Sequence, residues 1–408
     1  MNSFSKARNV AAFILIAVMM VLLGSNLLYQ SPQKMMLFGQ IPRSLYMTDW
    51  EYSVIWADNI LKDHLTGRDS MTEVYSYLQV LMEKEEAGDF AAIKSKTGEN
   101  SYGNFYPVVS EHIPGLAWRM KQLNDFCNEQ GTAVVFWSAL PLYTRGYSDY
   151  SAGLPAYDQN SDIDAMLYYL QGYGVDYLDS RAILNESEIS PEEYRFKTDL
   201  HWTTQACYES FRALVNKMDA EYQTNLDPDN ICTNPDQYNT IIYQDSFLGA
   251  LGRQVGIPFS GIDDFTLMIP KFETNFTIET QGDDIYRIDT GSYAEVLLDQ
   301  SYLASHSPYA SAMYDVYLGG NSIYKRIVNQ LNPDGPNVLL IYDSFSLPAA
   351  TFLASAVGEL HMICPLNIDG ESNKIDITEY VKNNTFDLVI VGMYPGNYTD
   401  KAFSFFQE

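Results

Sequence analysis

A chain of 408 residues with 46% hydrophobic and 19% charged side chains is long enough to bury a large core and is composed like a folded globular protein. Its net charge of −27 argues against nucleic acid as a partner, because phosphates demand a basic footprint, and against charge-driven adhesion to anionic lipid. Four cysteines, none in a Cys-x-x-Cys pair, are too few for a disulfide scaffold and show no zinc or redox motif, so no metal or cofactor is expected.

Residues 10–24 are an uninterrupted apolar run preceded by Lys6 and Arg8. With Leu27, Leu28 and Tyr29 the run approaches the roughly 20 residues that a spanning helix needs. Basic residues before such a helix stay in the cytoplasm. Residues 1–29 are therefore expected to form a membrane anchor that leaves the main domain outside the cytoplasm. Cleaved as a signal segment, they would leave a secreted protein. Residues 30–110 read as a linker followed by a helical region from Trp50 to about Glu86, where apolar residues recur at spacings of three and four. Polar, Gly-rich sequence from Gly88 to Pro107 predicts a loop or short strands.

An α/β rhythm occupies residues 111–408. A helix face of Leu116, Met120, Leu123 and Phe126 ends at Gly131, placed as a C-cap glycine. Residues 133–137 then form a short continuous apolar run, as in a strand buried on both faces. A helix near 163–171, a strand at 175–178, and a helix beginning after Thr203 or Thr204 follow. Residues 222–305, rich in Thr, Tyr, Phe and Ile between glycines, read as an insertion of strands and loops. The rhythm returns with strands at 338–342, 361–364 and 386–391 and helices between them, which predicts parallel βαβ units.

Two stretches carry chemistry. Asp199 and His201, two apart on an extended segment, point the same way, so the carboxylate can fix the imidazole tautomer while the other ring nitrogen takes a proton from a nucleophile. Ser344 stands after a buried strand and before a helix, at the sheet edge where open α/β folds bind ligands. Its amide and the helix N-terminus can stabilise an oxyanion. A second donor is expected from Asn321, which follows Gly319 and Gly320. Alternatively, Asn321 caps a helix running to Ile327. Arg253, between Gly252 and Gly256, is the other candidate donor or a holder of a substrate carboxylate. Trp202, beside His201, is expected to contact substrate.

Residues 198–203 (Thr-Asp-Leu-His-Trp-Thr) and 339–345 (Leu-Leu-Ile-Tyr-Asp-Ser-Phe) resemble the paired motifs of the SGNH-hydrolase-like proteins of alginate O-acetylation and of the related DHHW family. There too the Asp-x-His pair precedes the serine. Leu200 replaces the first His of Asp-His-His-Trp, and Tyr342 replaces the Gly that usually precedes Asp-Ser, where it would narrow access to the serine. The resemblance implies a three-layer SGNH-like α/β fold with a mostly parallel sheet. It further implies acyl transfer by Ser344, His201 and Asp199 to a hydroxyl of a cell-envelope or exported polysaccharide, aided by a membrane-bound acyl-transferring protein. The rival activities are a carbohydrate acetyl esterase using the same triad and a non-catalytic glycan-binding protein retaining the fold.

Overall fold

The computed structural model describes residues 67–84, 86–87, 90–95, 100–104, 112–141, 148–149 and 159–405, the last run without 283–285, 305–306, 311 and 367–374. The chain divides into two compact units, residues 1–78 and 79–408. The apolar run at 10–24 and the helical expectation for 50–66 lie outside the described residues. Among the described residues no helix is long and apolar enough to cross a membrane. Helix α1 spans Arg68–Leu81, opening after Gly67, whose φ is +79°.

In the second unit, β1 (Glu86–Ala87), β2 (Phe90–Ser95), β3 (Asn100–Asn104) and β5 (Ser148–Asp149) make a small antiparallel sheet, of which β2 and β3 fall in the stretch from Gly88 to Pro107 where a loop or short strands are expected. The main sheet has eight strands: β4 (Ala133–Ser138), β6 (Asp176–Asp179), β9 (Phe276–Gln281), β10 (Tyr286–Gly291), β11 (Tyr324–Asn329), β12 (Asn337–Tyr342), β13 (Glu359–Ile363) and β14 (Leu388–Met393). Their order is β10-β9-β11-β13-β12-β14-β4-β6. From β13 to β6 the neighbours run parallel, and β11, β9 and β10 extend that sheet antiparallel.

Alternation along the strands divides the core between the two faces. Val338, Leu340 and Tyr342 of β12 join one hydrophobic cluster with helices α5 (Thr204–Tyr222) and α8 (Leu347–Ala356). Leu339 and Ile341 join the other, with α2 (Ile113–Glu129), α3 (Gln159–Tyr173) and α9 (Ile377–Asn383). Because both faces are covered, all six residues of β14 are buried, which explains the unbroken apolar runs. The result is a three-layer α/β sandwich.

Residues 222–305 do not stand apart as a whole. The strands β7 (Tyr238–Phe247) and β8 (Asp263–Pro270) pair with each other in a separate two-stranded sheet, whereas β9 and β10 continue the main one. The segment ending at Ile327 is also a strand, not a helix. Lys325, Ile327 and Asn329 are buried at period two, and the β-branched Ile327 and Val328 suit a pleated surface. Asn321 therefore caps no helix here.

Candidate active site

Ser344 follows β12, which lies between the parallel strands β13 and β14, and opens a 3-10 turn (Ser344–Ser346) that leads into α8. The Asp343 carboxylate caps the turn by accepting the Phe345 amide at 3.1 Å. Its other oxygen accepts the Tyr394 amide at 2.7 Å and the Asn397 side-chain amide at 2.9 Å, so it ties the turn to the loop leaving β14. Burial pushes the Asp343 carboxyl up, against the pull of these donors. The Ser344 amide, first in its turn, has no carbonyl one turn back to bond and remains a donor at the sheet edge.

The His201 Nε2 lies 2.8 Å from Ser344 Oγ, and its Nδ1 lies 2.5 Å from Asp199 Oδ1. The three side chains thus form one hydrogen-bonded line in sequence, joining residues 143 positions apart. They meet for a different reason from the one the sequence suggests. Residues 197–201 are a bent loop rather than an extended strand, closed by the Phe196 amide on the His201 carbonyl at 3.2 Å. Asp199 reaches His201 because its Oδ1 also accepts the His201 backbone amide at 3.1 Å, a local turn that sets both groups together. Thr203 then caps α5 by accepting the Ala206 amide at 3.3 Å.

This acid loop is held from two sides. The buried Asp263 carboxylate accepts the amides of Lys197 and Thr198 at 3.0 and 2.8 Å and the Thr198 hydroxyl at 2.6 Å. On the other side lies α6 (Ala250–Val255). The Gly249 amide donates to Thr198 Oγ1 at 2.8 Å, the Ala250 amide to Asp199 Oδ2 at 2.8 Å and the Gly252 amide to the Thr198 carbonyl at 2.9 Å. A Cβ at Gly249 would fall 2.3 Å from Asp199 Cβ and 2.4 Å from the Thr198 oxygen. Only glycine lets these backbones approach so closely. Burial raises the Asp199 carboxyl, but the charge of His201 and the hydrogen bonds from His201 and Ala250 outweigh it and hold the group below the usual carboxylate range.

Aromatic rings fix the imidazole plane. Tyr314 stacks on His201 with centroids 3.9 Å apart and 15° between planes, and Phe345 lies 4.7 Å away, itself stacked on Tyr394 at 4.3 Å. Trp202 does not face a substrate. It is 1% exposed, its Nε1–H donates to the Phe345 carbonyl at 2.8 Å, and so it buttresses the Ser344–Ser346 turn from within. Tyr342 does not narrow the approach to Ser344 either. Its ring is fully buried, and its hydroxyl donates to the Ser322 carbonyl at 2.9 Å and accepts the Ser322 amide at 3.2 Å. Asn321 is exposed on the loop thereby pinned. Arg253 sits half-buried in the last turn of α6. Tyr314, Asp263 and the double role of Asp343 carried no motif. The two glycines of residues 249–253, three apart on one helix face, were the legible sign of close packing. Among the described residues no group of three or more His, Cys, Asp or Glu is placed to hold a metal ion.

Residues 108–240, which include Asp199 and His201, match the family described as SGNH hydrolase-like domain, acetyltransferase AlgX. Solved structures of similar fold include a DHHW family protein from Eubacterium siraeum, 15% identical, with a TM-score of 0.59 over 79% of this chain and 98% of that one. Bacillus cereus PatB1 is also 15% identical. Its structure with a sulfonyl adduct gives a TM-score of 0.56 over 72% of this chain and 93% of that one, and a second PatB1 structure gives 0.55. No curated protein matches the sequence. The resemblance drawn from the two motifs is thus established, and the fold is SGNH-like.

Proposed function

We propose that this chain is a serine-dependent O-acyltransferase that acetylates a hydroxyl of a cell-envelope or exported polysaccharide. The observation that carries the proposal is the line from Ser344 Oγ through His201 to Asp199, at 2.8 and 2.5 Å, on the carboxyl edge of the sheet. The acetyltransferase description of the matching family supports the same reading.

In the first half-reaction Ser344 Oγ attacks the donor's acyl carbonyl while His201 Nε2 takes its proton. The donor's leaving group then departs with that proton, leaving acetyl-Ser344. In the second, an acceptor hydroxyl gives its proton to His201 and attacks the acyl carbon, and His201 returns the proton to Ser344 Oγ. Asp199 stabilises the imidazolium in both halves. The developing oxyanion takes the Ser344 amide, and Asn321, on the loop pinned through Ser322, is the proposed second donor. The N-terminal apolar segment would hold or deliver this domain outside the cytoplasm, where a membrane-bound partner would supply the acyl group.

The soluble domain, given a chromogenic acetate ester, should release the chromophore and acetylate an added oligosaccharide. Acetate release that no acceptor diverts would make the protein an esterase. Absence of release together with absence of Ser344 labelling by a sulfonyl fluoride would leave only the glycan-binding role. Replacing Asn321 by Ala should lower turnover about 10²-fold, and unchanged turnover would remove it from the oxyanion site.

A further inference from the structure

The loop opposite the acid loop has a feature that the triad does not explain. Asp315 follows Tyr314, the ring stacked on His201, in the short turn Met313–Val316. It is partly buried, yet no hydrogen bond is among the influences on its carboxylate, which are burial and the charges of neighbouring groups. Leu318, Gly319 and Gly320 then run consecutively left-handed, with φ of +59°, +69° and +80°. A left-handed leucine is costly and persists here because its amide is held by the Leu297 carbonyl at 2.9 Å. A Cβ at Gly320 would come 3.1 Å from Asp315 Oδ1, so the glycine leaves the carboxylate uncovered. The charges of His201 and Arg253 both act on Asp315, while burial raises its carboxyl overall.

We propose that Asp315 and Arg253 form the acceptor subsite beside Ser344 and select a neutral sugar, Asp315 accepting from one hydroxyl while Arg253 donates to its neighbour. This rests on the acyl-transfer reading above. A carboxylate and a guanidinium acting together discriminate by charge. A uronate meets the repulsion of Asp315, and an amino sugar meets that of Arg253. Neighbouring hydroxyls, donor and acceptor at once, satisfy both. The whole chain biases the choice the same way, since a net charge of −27 repels a polyanionic glycan before it docks.

The test follows acetyl transfer from a chromogenic acetate ester to three sets of probes: neutral oligosaccharides of glucose, mannose and xylose, oligouronates, and partly deacetylated chitin oligosaccharides. At least one neutral set should be the best acceptor of the wild-type chain. In Asp315→Asn the ratio of uronate to neutral kcat/KM should rise about tenfold or more, the loss falling mainly on KM for the neutral acceptor. Asp315→Glu should restore part of the original ratio. A wild-type preference for uronate or amino acceptors, no acceptance of any neutral set, or an Asp315→Asn change that lowers all acceptors alike would overturn the proposal. Failure of the broader reading looks different, because then either the ester is not turned over or its acetyl group passes to water whichever acceptor set is present.

Discussion

The two loops that flank the His201 ring are built in opposite ways. In the acid loop, residues 197–201, the polar groups close on one another: Asp263 grips it from below, the α6 amides grip it from the side, and the Asp199 carboxylate takes three N–H groups. In the loop of residues 313–322, the backbone is left-handed over three residues, and the Asp315 carboxylate accepts from no described donor. The first loop uses its carboxylate hydrogen bonds for position, and the second leaves the Asp315 carboxylate without one among the described residues. Positioning of the Asp199–His201 pair and the Asp315 side of the proposed acceptor subsite are therefore carried by separate segments, joined through the stack of Tyr314 on His201.

The sharpest way to break this comparison is at the junction itself. Ser344→Ala and His201→Ala should each lower turnover by about 10⁶-fold, and Asp199→Asn by about 10⁴-fold, as for residues that act as a unit. The serine and histidine changes should leave thermal unfolding nearly unmoved. Calorimetry showing that His201→Ala unfolds the domain would reassign that ring to packing.

Next in size is Gly249→Ala, which touches no substrate. Its methyl would overlap Asp199 Cβ and the Thr198 carbonyl. Displacing the acid by about an ångström should cost roughly 10²-fold in kcat. The comparison requires the loss to be the same for every acceptor, so acceptor-dependent losses would dissolve the separation of roles.

Two further predictions concern what supports the second loop. Lys325 is 1% exposed, its Nζ donates to Ser322 Oγ at 2.5 Å, and burial lowers its pKa from 10.5 to about 8. Its folded pKa lies below its unfolded one, so between about pH 8 and 10.5 the unfolded chain holds more protons and this group's contribution to stability rises with pH. The full difference is on the order of 3 kcal/mol. Denaturant unfolding of Lys325→Met should show its advantage over wild type shrinking as pH climbs through that window; a constant gap would mean that the amine is not desolvated. Smallest is Tyr342→Phe, which leaves the Ser322 amide and carbonyl without their partner and should cost about 1 kcal/mol, measurable by the same method, with ester turnover little changed.

How much of this the sequence disclosed depends on where the information lies. Strands buried on both faces announce themselves, and the runs at 133–138, 337–342 and 388–393 need no other clue. The antiparallel extension was harder. Strand β11 opens Tyr324-Lys325-Arg326, and a buried lysine hides the alternation that would have marked a strand rather than a helix. Asp199, His201 and Ser344 were legible as residue types in an informative order, but the reason they meet is a local turn braced by Asp263 and Gly249, which are distant in sequence. Trp202 and Tyr342 were misplaced for one common reason. Proximity to a motif says nothing about which way a ring points, and both point into the core.

The strand order bears on how the molecule is made as well as on how it works. Strand β14, the latest of these strands in the sequence, lies between β12 and β4 and is the sole link between the two halves of the main sheet. The half containing β4 and β6 therefore has no partner for its β4 edge until β14 arrives. Closure must bring together residues some 250 positions apart, a separation that makes such pairing slow and exposes sticky edges meanwhile. The loop after β14 is also what the Asp343 carboxylate grasps. The Ser344 turn is thus braced through the strand that comes latest in the sequence, so a chain in which β14 has not yet paired would carry the serine and the histidine without that brace.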